Sequence, residues 1–150
     1  MQPSLFSFAQ GASAVANIDG GSRGNPGPAG YGVRIERDDG TIVELKESLG
    51  RCTNNIAEYH ALLAALEWAT EHDIRTLLVR SDSELLVKQL RGEYRVKNPG
   101  LQPLYERARA LAAKIGRVKF EHVRREMNKD ADRLANEAMD EAARTAAGSG

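Results

Sequence analysis

The chain reads as an α/β protein: a five-stranded mixed sheet, three antiparallel strands then two parallel additions, with helices on both faces in the order βββαβααβα. Three observations predict it. Residues 13–49 form three short strand-like runs separated by turn signals, the pattern of an antiparallel meander. From residue 55 the apolar spacing becomes helical. Between the helices, Leu77-Leu78-Val79 is a continuous apolar run of the kind buried in a central strand.

Each element has its own justification. Residues 13–19 read as the first strand, 20–30 as a glycine- and proline-punctuated turn, and 31–37 as the second strand. Asp39-Gly40 marks a tight hairpin, and residues 41–49 return as the third strand. Residues 55–71 place Ile56, Tyr59, Leu62, Leu63, Leu66 and Ala69 at helical spacing, with Thr53, Asn54 and Asn55 as N-cap chemistry. Residues 75–81 are the fourth strand and 84–90 a short helix. After a loop through Asn98-Pro99-Gly100, residues 101–115 form a helix that Gly116 ends. Residues 118–123 alternate as the fifth strand, and 130–144 form a last helix with Ala131, Leu134, Ala135, Ala138, Met139 and Ala142 on one face. Residues 1–12 are expected to be a flexible extension, 13–145 one folded domain, and 146–150 a disordered tail.

Composition is that of a globular protein with a real core. Hydrophobic content is 41%, and no apolar stretch approaches the roughly 20 residues that span a bilayer. The start lacks the basic and long apolar regions of a signal peptide, so a cytoplasmic location is expected. A lone Cys52 excludes an internal disulfide and a cysteine-based zinc cluster. Basic and acidic residues balance at 21 each, which by itself argues against a nucleic-acid partner. Setting four acids aside as ligands changes that, leaving about four positive charges in excess elsewhere.

Those four acids are Asp19, Glu58, Asp82 and Asp132. Asp19 and Asp82 end apolar strand runs, and in open sheets ligands gather beyond such carboxyl ends. Glu58 shares a helical face with Leu62. Asp132 lies roughly 60° around its helix from Ala135, at about 100° per residue. Buried carboxylates are costly unless neutralised, paired or bound to metal. Two readings follow: four scattered surface acids, or a divalent-cation site. The joint placement on two strand ends and two inward faces favours the second. Oxygen-only ligands suit Mg²⁺ or Mn²⁺ better than zinc or copper. Two such ions about 3.5–4 Å apart activate a water and stabilise a leaving oxygen in phosphodiester hydrolysis. Gly21, Gly24 and Gly27 do not make a dinucleotide loop, because that loop opens into a helix and this one, with Pro26 and Pro28, leads into a strand.

Four local strings then carry a resemblance. Asp19-Gly20-Gly21-Ser22-Arg23-Gly24-Asn25-Pro26-Gly27, Thr53-Asn54-Asn55-Ile56-Ala57-Glu58, Ser81-Asp82-Ser83 and Asn128-Lys129-Asp130-Ala131-Asp132-Arg133-Leu134-Ala135 resemble, in order, the signatures of ribonuclease H, type 1. The resemblance covers residues 14–143 and implies a ribonuclease H-like fold. It also implies endonucleolytic cleavage of the RNA strand of RNA–DNA hybrids, leaving 5′-phosphate and 3′-hydroxyl ends, with two Mg²⁺ or Mn²⁺ ions bound alongside substrate. Asp19, Glu58, Asp82 and Asp132 are implied as catalytic metal ligands. Asn25, Asn54 and Asn55 would lie along the minor groove and meet ribose 2′-hydroxyls. Thr53 would hold a phosphate of the DNA strand. Gly20, Gly21, Ser83, Glu84 and Asn128 complete the implied substrate contacts. Glu84 stands where some relatives have glutamine and can accept from a 2′-hydroxyl but not donate.

The chain departs from many relatives in residues 123–128, a short loop without their histidine. His122 precedes the loop and is expected to be structural. Arg125 matches the arginine of a histidine-lacking subgroup and is a catalytic candidate, against an exposed ion-pairing role. The segment 92–99 carries Arg95 and Lys97 but is too short for a basic protrusion, so modest affinity with steep salt dependence is expected. Trp68 and Tyr59 are expected to pack rather than stack on bases. The expected protein is a monomer acting on hybrid, with double-stranded RNA open as a second substrate and no membrane partner. The competing readings are a non-catalytic hybrid-binding module and a detached nuclease domain of a larger enzyme.

Overall fold

A computed structural model describes residues 12–149. Five strands form one sheet: β1 (Ala12–Ser22), β2 (Gly27–Arg37), β3 (Ile42–Cys52), β4 (Ile74–Ser81) and β5 (Arg117–His122). Their order is β3-β2-β1-β4-β5, with β1–β2 and β2–β3 antiparallel and β1–β4 and β4–β5 parallel. The helices are α1 (Asn54–Glu71), α2 (Glu84–Leu90), α3 (Gln102–Ile115) and α4 (Lys129–Ser149), with a 3₁₀ turn over Arg125–Met127. The expected order and strand directions hold.

The sheet is two-faced. Ala14, Ala16, Ile18, Val33, Ile35, Leu77 and Val79 point one way and are all buried with Leu62 and Leu66 of α1. Burying the Ile, Val and Leu side chains among them stabilises the fold by about 1.5–3 kcal/mol each before the entropy of ordering them is subtracted. Trp68 and Tyr59 are core residues, as expected, and Tyr59 donates its hydroxyl to buried Gln89 at 2.7 Å, tying α1 to α2. On the other face α4 lies on glycines. A Cβ on Gly30 would sit 2.5 Å from the Cβ of Ala138, and one on Gly32 would sit 2.4 Å from that of Leu134. Small residues on both sides therefore set how closely α4 approaches.

Several boundaries differ from expectation. The 20–30 turn shrinks, because Gly20, Gly21 and Ser22 pair with Tyr31, Gly30 and Ala29 and so extend both strands. Glycines that read as turn punctuation are strand positions pressed under helices. β3 runs to Cys52, accommodating a register shift beside Ala29 and a positive φ of 68° at Gly50. The last helix continues through Ser149, so the 146–150 tail expected to be disordered is helical as far as it is described. The flexible extension expected over 1–12 lies outside the described residues except Ala12, which starts β1. No helix among the described residues is long and apolar enough to cross a membrane.

Candidate active site

Topology brings the four acids together from three layers. The parallel β1–β4 ladder ends at the pair Ile18–Ser81, so Asp19 and Asp82 emerge side by side immediately beyond it. Asp19 is not the end of its strand, as the sequence suggested. It lies within β1 opposite Gly32, whose bare position admits α4. Gly20 does the same on the other face: a Cβ there would lie 2.4 Å from the Ala57 carbonyl oxygen and 2.7 Å from the Glu58 nitrogen. Its absence lets α1 bring Glu58 against β1. Gly20 is therefore a buried packing position rather than the substrate contact expected of it.

Asp19 is the electrostatic centre. Burial pushes its carboxyl up to about 8, reinforced by the charge of Asp82, a hydrogen bond and charge from Asp132, and the charge of Glu58. Burial likewise pushes Glu58 up to about 7, with Asp82 adding to the rise and a hydrogen bond from Ser83 opposing it. Asp82 is also raised, chiefly by burial, with Arg125 opposing and Asp132 adding to the rise. Such mutual destabilisation is what an added cation relieves. Among the described residues no three His, Cys, Asp or Glu side chains form a ready-made cage for one ion. Mg²⁺ takes one or two carboxylates together with waters and substrate phosphate, and the burial-strained carboxylates of Asp19, Glu58 and Asp82 are oxygen donors of that kind. The donor chemistry fits the implied ions.

The polar rim is more ordered than its sequence implies. Thr53 caps α1, its hydroxyl oxygen accepting from Ile56 N at 3.3 Å. Asn54 Oδ1 accepts from Ser22 N at 2.8 Å, and Asn54 N donates to Asn25 Oδ1 at 3.0 Å. A backbone N–H can only donate, so both amides must turn their oxygens inward and keep their NH₂ groups as outward donors. Asn25, Asn54 and Asn55 are all exposed, and Gly21 is half-buried beside Asn54. Ser83 caps α2 while bonding Glu58, and so serves the acid cluster rather than an open groove. Glu84 is exposed and paired with Lys88 at 3.3 Å.

Arg125 is 86% exposed, its Nε 3.9 Å from Asp82 Oδ2. His122, expected to be structural, is exposed at the end of β5, close enough for its charge to lower the Asp82 carboxyl. Asn128 is a correction. It is 1% exposed, donates through Nδ2 to the Ile18 carbonyl at 2.9 Å and accepts from Asn17 Nδ2 at 3.0 Å, so it cannot face substrate. Its own carbonyl caps Asp132 N at 3.0 Å. Sequence reading missed this clamp and the partner Asn17. The available signal was a polar residue alternating with apolar Ala16 and Ile18 in a central strand, next to the first acid.

Comparison with known proteins agrees with this geometry. The sequence matches the Reverse transcriptase-like family over residues 17–138. It is 49% identical over 135 residues to the Bifunctional protein Rv2228c of Mycobacterium tuberculosis, covering 89% of this chain but 37% of that protein. The solved N-terminal RNase H domain of Rv2228c superposes with a TM-score of 0.87 at 47% identity, covering 91% of this chain and 99% of the other. Ribonuclease HI of Halobacterium salinarum is 44% identical over 134 residues, covering 89% of this chain and 67% of that one. LC11-RNase H1, solved in complex with RNA/DNA hybrid, gives a TM-score of 0.80 at 41% identity over 86% of this chain and 98% of the other. With the four acids gathered at the end of the parallel ladder and relatives of this closeness along nearly the whole chain, the protein belongs to the ribonuclease H, type 1 family.

Proposed function

We propose that this chain hydrolyses the RNA strand of RNA–DNA hybrids, leaving 5′-phosphate and 3′-hydroxyl ends. The observation that carries the reading is the cluster centred on Asp19, whose carboxyl is held high by burial and by three neighbouring acids. Asp19, Glu58, Asp82 and Asp132 would hold two Mg²⁺ or Mn²⁺ ions once substrate is present. When bound, such ions lower the pKa of a water and stabilise the leaving oxygen. The chain's own residues do the rest. Asn25 and Asn54 offer NH₂ donors to minor-groove acceptors, including the 2′-hydroxyl that distinguishes RNA from DNA. Thr53, with its oxygen used in the cap, has a hydroxyl hydrogen to give a phosphate of the DNA strand. Ser83 steadies Glu58, and Arg125, exposed beside Asp82, is placed to meet a phosphate there. LC11-RNase H1, bound to RNA/DNA hybrid, supports this partner.

The test is one incubation of labelled hybrid, double-stranded RNA and DNA duplex with Mg²⁺, with Mn²⁺ and with EDTA. Metal-dependent cutting of the hybrid RNA strand, with the DNA duplex intact, is expected. Uncut hybrid in both metals would leave only a binding module. A second reading keeps the activity and makes the chain one unit of a longer polypeptide. Its 37% span of the mycobacterial relative favours that, and the mass of the native protein in extract decides it.

A further inference from the structure

Asn17 stands two residues before Asp19 on β1, and the alternation of the strand puts both side chains on the face that α4 crosses. The reaction described above uses Asp19 and gives Asn17 no role. The Asn17 amide donates to Asn128 Oδ1 at 3.0 Å and reaches the Met127 carbonyl at 3.5 Å. Asn128 in turn donates through Nδ2 to the Ile18 carbonyl at 2.9 Å. The polarity of this relay is forced. A carbonyl only accepts, so Ile18 fixes which end of the Asn128 amide is nitrogen, and Oδ1 must face position 17. Position 17 therefore needs a donor. An acidic or apolar side chain there would leave the oxygen of a fully buried asparagine without one.

Two further features show what the bond holds. Asn128 immediately precedes α4, and its carbonyl accepts from Asp132 N at 3.0 Å. An asparagine in that place ordinarily spends its side-chain oxygen on the first turn of its own helix. Here Oδ1 accepts from β1 instead. The spacing then matches across the interface. Two residues of strand, Asn17 to Asp19, advance about 6.6 Å, and four of helix, Asn128 to Asp132, about 6 Å. Pinning 17 to 128 thus sets 19 against 132, whose carboxyl groups share a hydrogen bond. The same bond closes a turn. Val123 N donates to the Ser81 carbonyl at 2.9 Å, Met127 N to the Arg124 carbonyl at 2.9 Å and Asn128 N to the Arg125 carbonyl at 3.0 Å. Residues 124–127 are therefore held at one end on β4 and at the other on β1, with Arg125 between them beside Asp82.

We propose that Asn17 is a positioning residue for the hydrolysis: its NH₂ group holds the 125–128 turn and the start of α4 on β1, so that Arg125 stays beside Asp82 and Asp132 meets Asp19. The inference rests on the ribonuclease reading above and adds to it a residue that acts only through its neighbours. A bland account exists, in which Asn17 satisfies a buried oxygen and stability alone depends on it. That account predicts a weaker fold but ordinary turnover by the molecules that remain folded. The two accounts part at kcat.

The test compares Asn17→Leu, which removes the donor at similar size, with Asn17→His, whose Nδ1 stands as many bonds from the backbone as the asparagine nitrogen. Circular dichroism gives the folded fraction of each variant. On labelled hybrid, Asn17→Leu should lower the kcat of the folded fraction at least about fivefold with KM within about twofold. Asn17→His should turn over at least about twice as fast as Asn17→Leu. Added to Arg125→Ala, Asn17→Leu should cost less than the product of the two separate losses, because both act through one turn. Hydrogen exchange reads the geometry without catalysis. The Asn128 and Asp132 amides should exchange at least about tenfold faster in Asn17→Leu, while those in the middle of α1 keep their rates. Turnover within about twofold of the unmodified chain, a change confined to KM, or losses that multiply with Arg125→Ala would each overturn the proposal. So would unchanged exchange at Asn128 and Asp132. Uncut hybrid with the unmodified chain would instead sink the ribonuclease reading, whereas faster exchange in Asn17→Leu would still support the hold on the turn and unchanged exchange would still overturn it.

Discussion

Helices α1 and α4 each deliver one acid to the site, Glu58 and Asp132, yet different forces hold them to the sheet. α1 buries nine residues, among them Tyr59, Leu62, Leu63, Leu66 and Trp68. α4 buries mostly alanines against glycines, with Leu134 and Met139 as its larger contacts. Its flanks are laced by exposed ion pairs: Arg34–Asp130 at 3.4 Å, Arg133–Glu44 at 2.6 Å, Lys46–Glu137 at 2.9 Å and Arg23–Asp140 at 2.9 Å. Exposed pairs contribute little each. The Asn128 clamp and close backbone approach therefore fix Asp132, whereas bulk hydrophobic burial fixes Glu58. The two acids should fail in different ways.

The largest effect bypasses that contrast by striking the residue both helices serve. Asp19→Asn should reduce hybrid cleavage more than about 100-fold, beyond what is lost on removing a residue that merely supports a metal ligand. The same change should stabilise the metal-free chain. Asp19 holds its proton up to about pH 8 when folded but only to about 3.8 when unfolded, so between those values the folded state binds more protons. Stability conferred by that proton is fully present below about pH 3.8 and is lost progressively as pH rises to about 8. In EDTA at pH 8.5 the variant should melt a few degrees above the unmodified chain. An equal or lower melting temperature would contradict the charge strain.

Next, Gly32→Val against Leu66→Ala tests the contrast itself. The first forces a side chain into the Leu134 and Ala131 contact and lifts the helix bearing Asp132. It should cost about 1–3 kcal/mol of stability and lower the kcat of the folded fraction at least tenfold. The second opens a core cavity under α1 and should cost about 2–5 kcal/mol, yet keep kcat within about threefold while the protein stays folded. If the two trade patterns, the two-anchor account is wrong. Arg125→Ala should lower kcat by tenfold or more, and a change below about threefold would return it to the solvated surface. Smallest of all, Lys46→Ala should move the melting temperature by less than about 3 °C with unchanged kcat, as expected of one exposed pair.

Much of this architecture was legible in the chain because local pattern and tertiary outcome agree. Leu77-Leu78-Val79 had to be a central strand, and Glu58 one turn from Leu62 had to face inward. What escaped depended on partners remote in sequence. Gly20 and Gly30 looked like turn residues because nothing local announces the helices lying on them. Asn128 looked like a groove contact because an amide's burial is decided 110 residues away, at Ile18. The same holds for Asn25 and Asn54: their types were legible, but not the mutual bonding that fixes which atom each shows outward.

The protonated state of Asp19 has a thermal signature. At neutral pH a divalent ion entering the cluster is expected to displace that hydrogen ion into the buffer. Calorimetric titration with Mg²⁺ would then return an apparent enthalpy that tracks the buffer's own heat of ionisation, the mark of a proton exchange rather than a simple association.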